Sequence, residues 1–181
     1  MPEQTHLVER IDPTVDRPRM PDGYGTPETE EGLLPWRWAT ERLERARNYW
    51  FSTTRPDGRP HVMPAWAAWI DGVLYFEGSP ATRRARNIAT NPAVSIHLES
   101  GDEVVILEGE VYEHGKPDRD LAEHLSKIFT EKYAASHDYK PAPDQWDEGG
   151  LWSMRPRVAF AWSEFPKTLT RFRFDRSSTA D

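Results

Sequence analysis

The feature that most constrains the fold is a series of short β-rich runs joined by tight turns. YWFSTT and PHVMPAWAAW flank the turn RPDGR, and IDG at 70–72 leads into a third run, VLYFEG. Asp-Gly between two such runs is a strong signal for a β-hairpin. AVSIHLES and EVVILEGEVYEH are joined by GD, and RVAFAWSEF and TLTRFRFD complete the series. Strands that follow one another mostly as hairpins predict a mainly β fold, a largely antiparallel barrel with a few inserted helices.

Three segments between these strands have the pattern of helices. WRWATERLERAR, from Trp36, is amphipathic and is expected to cover one face or end of the barrel. In SPATRRARNIATNP we expect Ser79 to be the N-cap, Pro80 to take the first helical position and Asn91-Pro92 to stop the helix. KPDRDLAEHLSKIFTEKYAASH is expected to form the longest helix.

Residues 1–35 are rich in Pro, Glu, Asp, Thr and Gly and have neither a helical nor a strand period. We therefore expect an extended N-terminal arm, followed by a single domain at 36–181. No apolar run approaches the roughly 20 residues of a membrane helix, and the N-terminus lacks the apolar core of a signal peptide. These features predict a soluble, cytoplasmic protein with no membrane partner.

Composition excludes several kinds of chemistry. The chain has no cysteine, which rules out disulfides, thiolate metal sites and cysteine nucleophiles. Its six histidines have no close ligand spacing, so no metal site is expected, and GxSxG, Walker A and GxGxxG motifs are missing. The net charge of -7 repels nucleic acid and makes a local arginine cluster informative. If the protein is an enzyme, its reactive atoms should belong to a bound cofactor.

The helix after Ser79 is the first candidate for a binding site. Free N-H groups at a helix start attract anions, and guanidinium groups hold phosphate through forked hydrogen bonds. The side chains that could supply these contacts are Ser79, Thr82, Arg83, Arg84 and Arg86. Helical spacing predicts a buried stripe of Ala81, Ala85, Ile88 and Ala89. Arg84 would border this stripe, where a ligand could be held; the alternative is a solvated arginine face.

The strand with two prolines is the second candidate. Pro60 and Pro64 remove ladder donors, so neighbouring backbone groups need other partners, and a planar heteroaromatic ligand could supply them. Trp66 and Trp69 offer flat apolar walls, although aromatic residues in a barrel are more often plain core. His61 is either part of this site or simply a polar residue at the start of a strand.

Taken together, the hairpin YWFSTTRPDGRPHVMPAWAAW, the helix SPATRRARNIATNP and the strands up to VAFAW and LTRFRF resemble the pyridoxamine 5'-phosphate oxidase-like superfamily. The resemblance covers Trp36 to Asp175 and is closest to the flavin/deazaflavin oxidoreductase branch. It implies a split β-barrel with Greek-key antiparallel strands, in a homodimer with two cofactor sites at the subunit interface. The small-molecule substrate of such a protein would meet the cofactor there.

The resemblance also implies which residues bind the cofactor. The ring would lie against the strand formed by His61, Val62, Met63, Pro64, Ala65 and Trp66. The phosphate would be held at the helix matching Thr82 to Asn87, with Arg84 where relatives place a lysine or arginine. Trp162 and Arg171 would reach the site from the partner subunit. Ala65 and Ala67 stand where many relatives have Val and Gly, which would narrow the space beside the ring.

Members of this branch use either FMN or the deazaflavin F420. The ARN after the basic residues and the RPDGRPH turn look more like the deazaflavin users, so F420 is the expected cofactor and FMN the alternative. The expected reaction is hydride transfer from reduced F420 to an unsaturated organic acceptor. A non-catalytic carrier of a flavin, a deazaflavin or a lipophilic ligand is a further alternative. Vitamin B6 oxidation is not expected, because the basic, histidine-containing C-terminal motif of the true oxidases is missing.

Overall fold

The computed structural model describes residues 12–175 and is mainly antiparallel β-sheet. The helices are α1 (Trp36–Arg45), α2 (Arg83–Thr90) and α3 (Arg119–His137), and a short 3-10 turn covers Pro143–Trp146. The strands are β1 (Thr14–Asp16), β2 (Tyr49–Thr54), β3 (Pro60–Ala65), β4 (Ala67–Ile70), β5 (Val73–Glu77), β6 (Ala93–His97), β7 (Val104–Glu113), β8 (Leu151–Trp162) and β9 (Thr170–Arg173). No helix within this part of the chain has the length and apolar character needed to cross a membrane.

The strands form one sheet in the order β1-β9-β8-β7-β6-β2-β3. β8 is longer than the sequence predicts because it has two partners on one edge: Leu151 to Met154 pair with β5, and Val158 to Ala161 pair with β9. β5 also pairs with β4, and β4 follows β3 after the single residue Trp66. The β3–β4 junction therefore joins the two sides of the sheet into a barrel, which confirms the split-barrel prediction.

The predicted return strand at 60–69 is wrong as one continuous strand, because it breaks at Trp66. β3 pairs with β2, whereas β4 pairs with β5. At the break, the Trp66 ring stacks on Tyr133 of α3, with centroids 4.5 Å apart. The Tyr133 hydroxyl accepts from Ala67 N at 3.2 Å and lies 3.3 Å from Ala67 O. A helix side chain thus takes over backbone groups that a continuous ladder with β2 would have paired.

Helix α2 begins three residues later than predicted. Thr82 is its N-cap, since its Oγ1 accepts a hydrogen bond from Ala85 N at 3.2 Å. Ser79 instead forms a turn in front of the helix, where its Oγ accepts from Ala81 N at 3.2 Å. The predicted buried stripe of Ala81, Ala85, Ile88 and Ala89 is also partly wrong. Ala81 lies outside the helix and is exposed, Ala89 is exposed as well, and the buried side chains are Ala85, Asn87 and Ile88.

Two hydrophobic clusters hold the barrel together. One fills its interior and includes Phe51 and Phe76, with α1 packed on it through Ala39 and Leu43. Trp69 belongs to this interior cluster, so its ring is core and not the wall of a ligand site. The second cluster lies between α3 and the β4–β5 hairpin, and includes Phe129, Tyr133 and Trp146. Burial of large aromatic rings on both sides of β4 and β5 makes this hairpin a rigid base for the neighbouring site.

The N-terminal arm is attached to the sheet of its own chain. The sequence shows no strand period at 1–35, yet β1 pairs with β9 over three residues, a strand too short to show alternation. The Arg17 guanidinium donates to a group of backbone carbonyls that belong to Thr29, Glu31, Pro166, Lys167 and Leu169. The described part of the arm therefore lies on the connection between β8 and β9. The rest of the predicted arm, residues 1–11, is outside the described residues, as are residues 176–181.

Candidate cofactor site

The guanidinium of Arg84 lies at the centre of the candidate site. One of its terminal nitrogens donates to Glu77 O at 2.8 Å, and Cζ lies 5.0 Å and 4.7 Å from the ring centroids of Phe51 and Phe76. Burial lowers the pKa of Arg84 to about 10. Within residues 12–175 no carboxylate forms an ion pair with it. A largely buried cation without a counter-ion is costly, which points to an anionic ligand at this place.

Gly78 makes this position of Arg84 possible. A Cβ at residue 78 would lie 2.7 Å from the terminal nitrogen of Arg84. The backbone of Gly78 is itself fixed, because its N-H donates to Gly150 O at 3.1 Å and its carbonyl accepts from Trp152 Nε1 at 2.8 Å. Glycine at this position allows the close approach of the Arg84 side chain, and its φ is not unusual.

A buried hydrogen-bond chain ties α2 to the β2–β3 hairpin. Asn87 is fully buried and donates from Nδ2 to Thr53 Oγ1 at 2.9 Å. Thr53 Oγ1 in turn lies 3.3 Å from His61 Nδ1 and donates to His61 O at 3.3 Å. The resemblance places Asn87 at the phosphate, which stays a prediction; in the structure its amide nitrogen fixes the distance between the helix and the strands.

Positive charge surrounds His61. Its pKa is lowered by partial desolvation and by the nearby Arg55, Arg83 and Arg84. The imidazole is therefore neutral near pH 7. Arg55 is a residue that the sequence reasoning missed, although it opens the RPDGR turn that drew attention to this hairpin. Its Nε is buried and has no hydrogen-bond partner among the described residues.

Strand β3 presents an open surface beside these charges. Met63 and Val62 are 50% and 46% exposed, although they point to opposite faces of the strand. Met63 pairs with Phe51, so it shares a sheet face with the ring on which Arg84 rests. Pro64 lies on the outer face with Val62, and within the described chain β3 has β2 as its one strand neighbour. A strand open on both faces and along one edge can accept a flat ligand or another chain.

The remaining residues predicted at the helix take different positions. Arg83 is exposed at the first turn of α2, and Thr82 uses its hydroxyl in the helix cap. Arg86 turns back towards the start of the helix and donates to Ala81 O at 2.7 Å. On β3, Ala65 is half-buried, and the adjoining Trp66 turns its ring towards α3. The structure thus brings His61, Met63, Arg83, Arg84 and Asn87 together around one end of the barrel.

Trp162 and Arg171 lie elsewhere in the chain. Arg171 binds Asp16 of β1 through two hydrogen bonds of 2.7 and 2.9 Å, and Trp162 packs edge-on against Phe165 at 5.8 Å. Four strands separate β9 from β3 in the sheet order. The placement of Trp162 and Arg171 in the site of a partner subunit stays a prediction.

The residues that are present fit a planar cofactor that carries a phosphate. Arg84 and Arg83 form no ion pair within residues 12–175 and can offer guanidinium donors to an anion, and the exposed β3 beside them offers apolar side chains and backbone to a ring. This match of a cationic end with an open apolar strand is the chemical basis for comparing the chain with flavin-binding proteins.

A family model for pyridoxamine 5'-phosphate oxidase matches residues 39–162. The chain belongs to the pyridoxamine 5'-phosphate oxidase-like split-barrel family. The matched range runs from α1 to the end of β8 and contains every residue grouped around Arg84.

Solved structures are similar over most of the chain. An F420 reductase is 25% identical, with a TM-score of 0.50, and the match covers 72% of this chain and 98% of that one. A conserved hypothetical protein from Mycobacterium tuberculosis is 24% identical over 76% of this chain and 89% of its own, with a TM-score of 0.59. An FAD-binding protein from Mesorhizobium loti is 18% identical over 78% and 96%, with a TM-score of 0.53. No curated protein matches the sequence.

Proposed function

We propose that this protein is an oxidoreductase that binds F420 and transfers hydride from the reduced cofactor to an unsaturated organic acceptor. The observation that carries the proposal is the Arg84 guanidinium beside the open strand β3. It is largely buried over Phe51 and Phe76 and has no carboxylate partner among the described residues. Similarity to a protein described as an F420 reductase, over nearly all of that protein's length, supports the choice of cofactor. When bound, the deazaflavin ring supplies the hydride chemistry.

The chain's own residues would bind and orient the cofactor. Arg84 donates one N-H to Glu77 O, which holds the guanidinium in place and leaves its other donors for a phosphate. Arg83 adds a second positive charge at the exposed first turn of α2. Since His61 is neutral, it can offer one hydrogen bond without adding further charge. Met63 provides exposed apolar surface beside the same rings.

The proposal includes a homodimer in the cytoplasm, in which Trp162 and Arg171 of each subunit approach the cofactor of the other. The outer face of the sheet supports it, because the register aligns a row of side chains there that are partly exposed and, except for His97, apolar. In order across the strands this row is Pro64, Trp50, His97, Ile106 and Phe160. Such a row, continuous with the exposed Val62, suits a second copy of the chain.

Titration of the purified protein with F420 and with FMN, followed by fluorescence, tests the choice of cofactor. Arg84→Ala should weaken F420 binding about 10- to 150-fold, because a charge-assisted contact contributes roughly 1.5–3 kcal/mol. Arg119→Ala is the control, since Arg119 is exposed on α3 and pairs with Glu123. Tight FMN binding without F420 binding would replace the proposal by an FMN-dependent oxidoreductase.

Catalysis is tested separately, by adding reduced F420 and unsaturated acceptors under anaerobic conditions and following cofactor reoxidation. Reoxidation that depends on the acceptor is the expected result. A protein that binds F420 tightly but supports no transfer to any acceptor would be a carrier instead.

A further inference from the structure

A cationic side chain borders the site from the side of the hairpin turn. We propose that Arg55 binds an anionic group of the cofactor, so that the ligand is held between the β2–β3 turn and helix α2. This inference rests on the proposed function and adds to it a specificity residue that the helix motif does not contain. It implies that the site selects ligands with at least two negative charges.

The first argument is the bonding of the Arg55 side chain. Its Nε is buried, and neither a hydrogen bond nor an ion pair engages this guanidinium among the described residues. A buried N-H without a partner is costly, so native structures seldom leave one unless water or a ligand satisfies it.

The second argument is that the carboxylate of the same turn already has a partner. Asp57 accepts from Arg59 Nε at 3.0 Å and from its terminal nitrogen at 2.7 Å, and its other oxygen accepts from Arg59 N at 3.2 Å. These bonds to Arg59 are the main cause of the lowered pKa of Asp57, and the charge of Arg55 contributes less. The one carboxylate of the turn, Asp57, is therefore paired with Arg59 and not with Arg55.

The third argument is position. Arg55 N donates to Arg59 O at 2.9 Å and Gly58 N donates to Arg55 O at 2.8 Å, so the turn is closed and the backbone of Arg55 is fixed. Arg55 follows Thr53 by two residues, which is about 6–7 Å along a strand. Thr53 is the residue that joins β2 to Asn87 of α2.

The fourth argument is charge. The charges of Arg55 on the turn and of Arg83 and Arg84 on α2 all contribute to the lowered pKa of His61. Like charges in one region repel one another, and none of these three arginines has an ion-pair partner within residues 12–175. A phosphate, or a phosphate together with a carboxylate, would relieve this repulsion and would give forked acceptors to more than one arginine.

The test compares charged and uncharged forms of the same ring. Arg55→Ala should weaken binding of F420 at least tenfold and change binding of the deazaflavin that lacks the phosphate and the glutamate tail by less than twofold. FMN and riboflavin form a second matched pair. Arg55→Lys keeps the charge but lacks Nε-H, so it should recover part of the affinity. Arg119→Ala, which makes the same change of charge on α3, should leave all four affinities unchanged.

Two results would overturn the inference: an unchanged affinity of Arg55→Ala for the charged ligands, or an equal loss for charged and uncharged ones. A melting curve for each variant shows whether it is folded. If the wild-type protein bound neither cofactor, the proposed function would fail, and calorimetry with inorganic pyrophosphate would still decide on Arg55. Pyrophosphate binding that is lost in Arg55→Ala and kept in Arg119→Ala supports the anion site; equal binding by both variants refutes it.

Discussion

Gly78→Ala should impair cofactor binding without contacting the cofactor. The added Cβ would lie 2.7 Å from the terminal nitrogen of Arg84, whereas ordinary contacts begin at 3.4 Å. The guanidinium must therefore move by about 0.7 Å, as these two distances show. Its hydrogen bond to Glu77 O, now 2.8 Å, would stretch to the limit of hydrogen bonding or break.

We expect Gly78→Ala to weaken cofactor binding and to leave the free energy of unfolding nearly unchanged. Gly78 is not in the left-handed region of φ, so alanine is tolerated there, and the lower entropy of the unfolded chain stabilises the protein by about 0.4–1 kcal/mol. The clash involves only the far end of a flexible side chain, so we expect the free energy of unfolding to change by less than about 1 kcal/mol. Loss of the oriented, charge-assisted contact should weaken F420 binding about 10- to 150-fold, from roughly 1.5–3 kcal/mol.

Fluorescence titration and urea denaturation measure the two quantities on the same protein samples. Gly101→Ala is the control, because a Cβ at 101 would meet nothing within 4 Å. The double variant with Arg84→Ala should bind no more weakly than Arg84→Ala alone, since both changes act through one guanidinium. If Gly78→Ala bound F420 as tightly as the wild type while Arg84→Ala did not, the anchored position of Arg84 would not be the one that binds, and the reasoning would be refuted.

Two further predictions concern the supports of the site and of the arm. Thr53→Val should lower the free energy of unfolding by about 1–3 kcal/mol, because the fully buried Asn87 Nδ2 loses its acceptor. Thr53→Ser keeps the hydroxyl and should retain most of the wild-type stability. Urea denaturation of both variants measures the difference. Asp16→Asn should release β1 at a cost of about 0.5–1 kcal/mol, measured by hydrogen exchange at residues 14–16. Hydrogen bonds from Arg171 are the main cause of the lowered pKa of Asp16, so this stabilisation is present above the pKa of the unfolded chain and is lost as the pH falls through the lower folded value. Arm protection that did not change with acid would argue against the ion pairs as its cause.

The antiparallel arrangement of the strands follows from local patterns. A two-residue period with Asp-Gly turns depends on neighbours along the chain, which is why the antiparallel barrel could be predicted and confirmed. The arginine-rich helix after β5 was recognisable for the same reason, because Arg84 lies four residues before the buried Ile88, which is helical spacing.

Local pattern also has limits at helix ends. Ser79 and Thr82 are both good N-caps, and the sequence favoured the first because Pro80 suits the first helical position. The hydrogen bond from Ala85 N to Thr82 shows which one caps α2. The choice between two acceptable caps depends on where the barrel allows α2 to pack, which is tertiary information.

By itself, the sequence determined most of the strands and the three α-helices, and which helix carries the cluster of arginines. Only the tertiary structure decided the break at Trp66, through contacts with Tyr133, and the attachment of the arm, through Asp16 and Arg171. The same holds for Arg55, whose unpaired state depends on what its neighbours in space already bind. Contacts between residues far apart along the chain leave no periodic signal, because each is a single pairing made possible only when the barrel has closed.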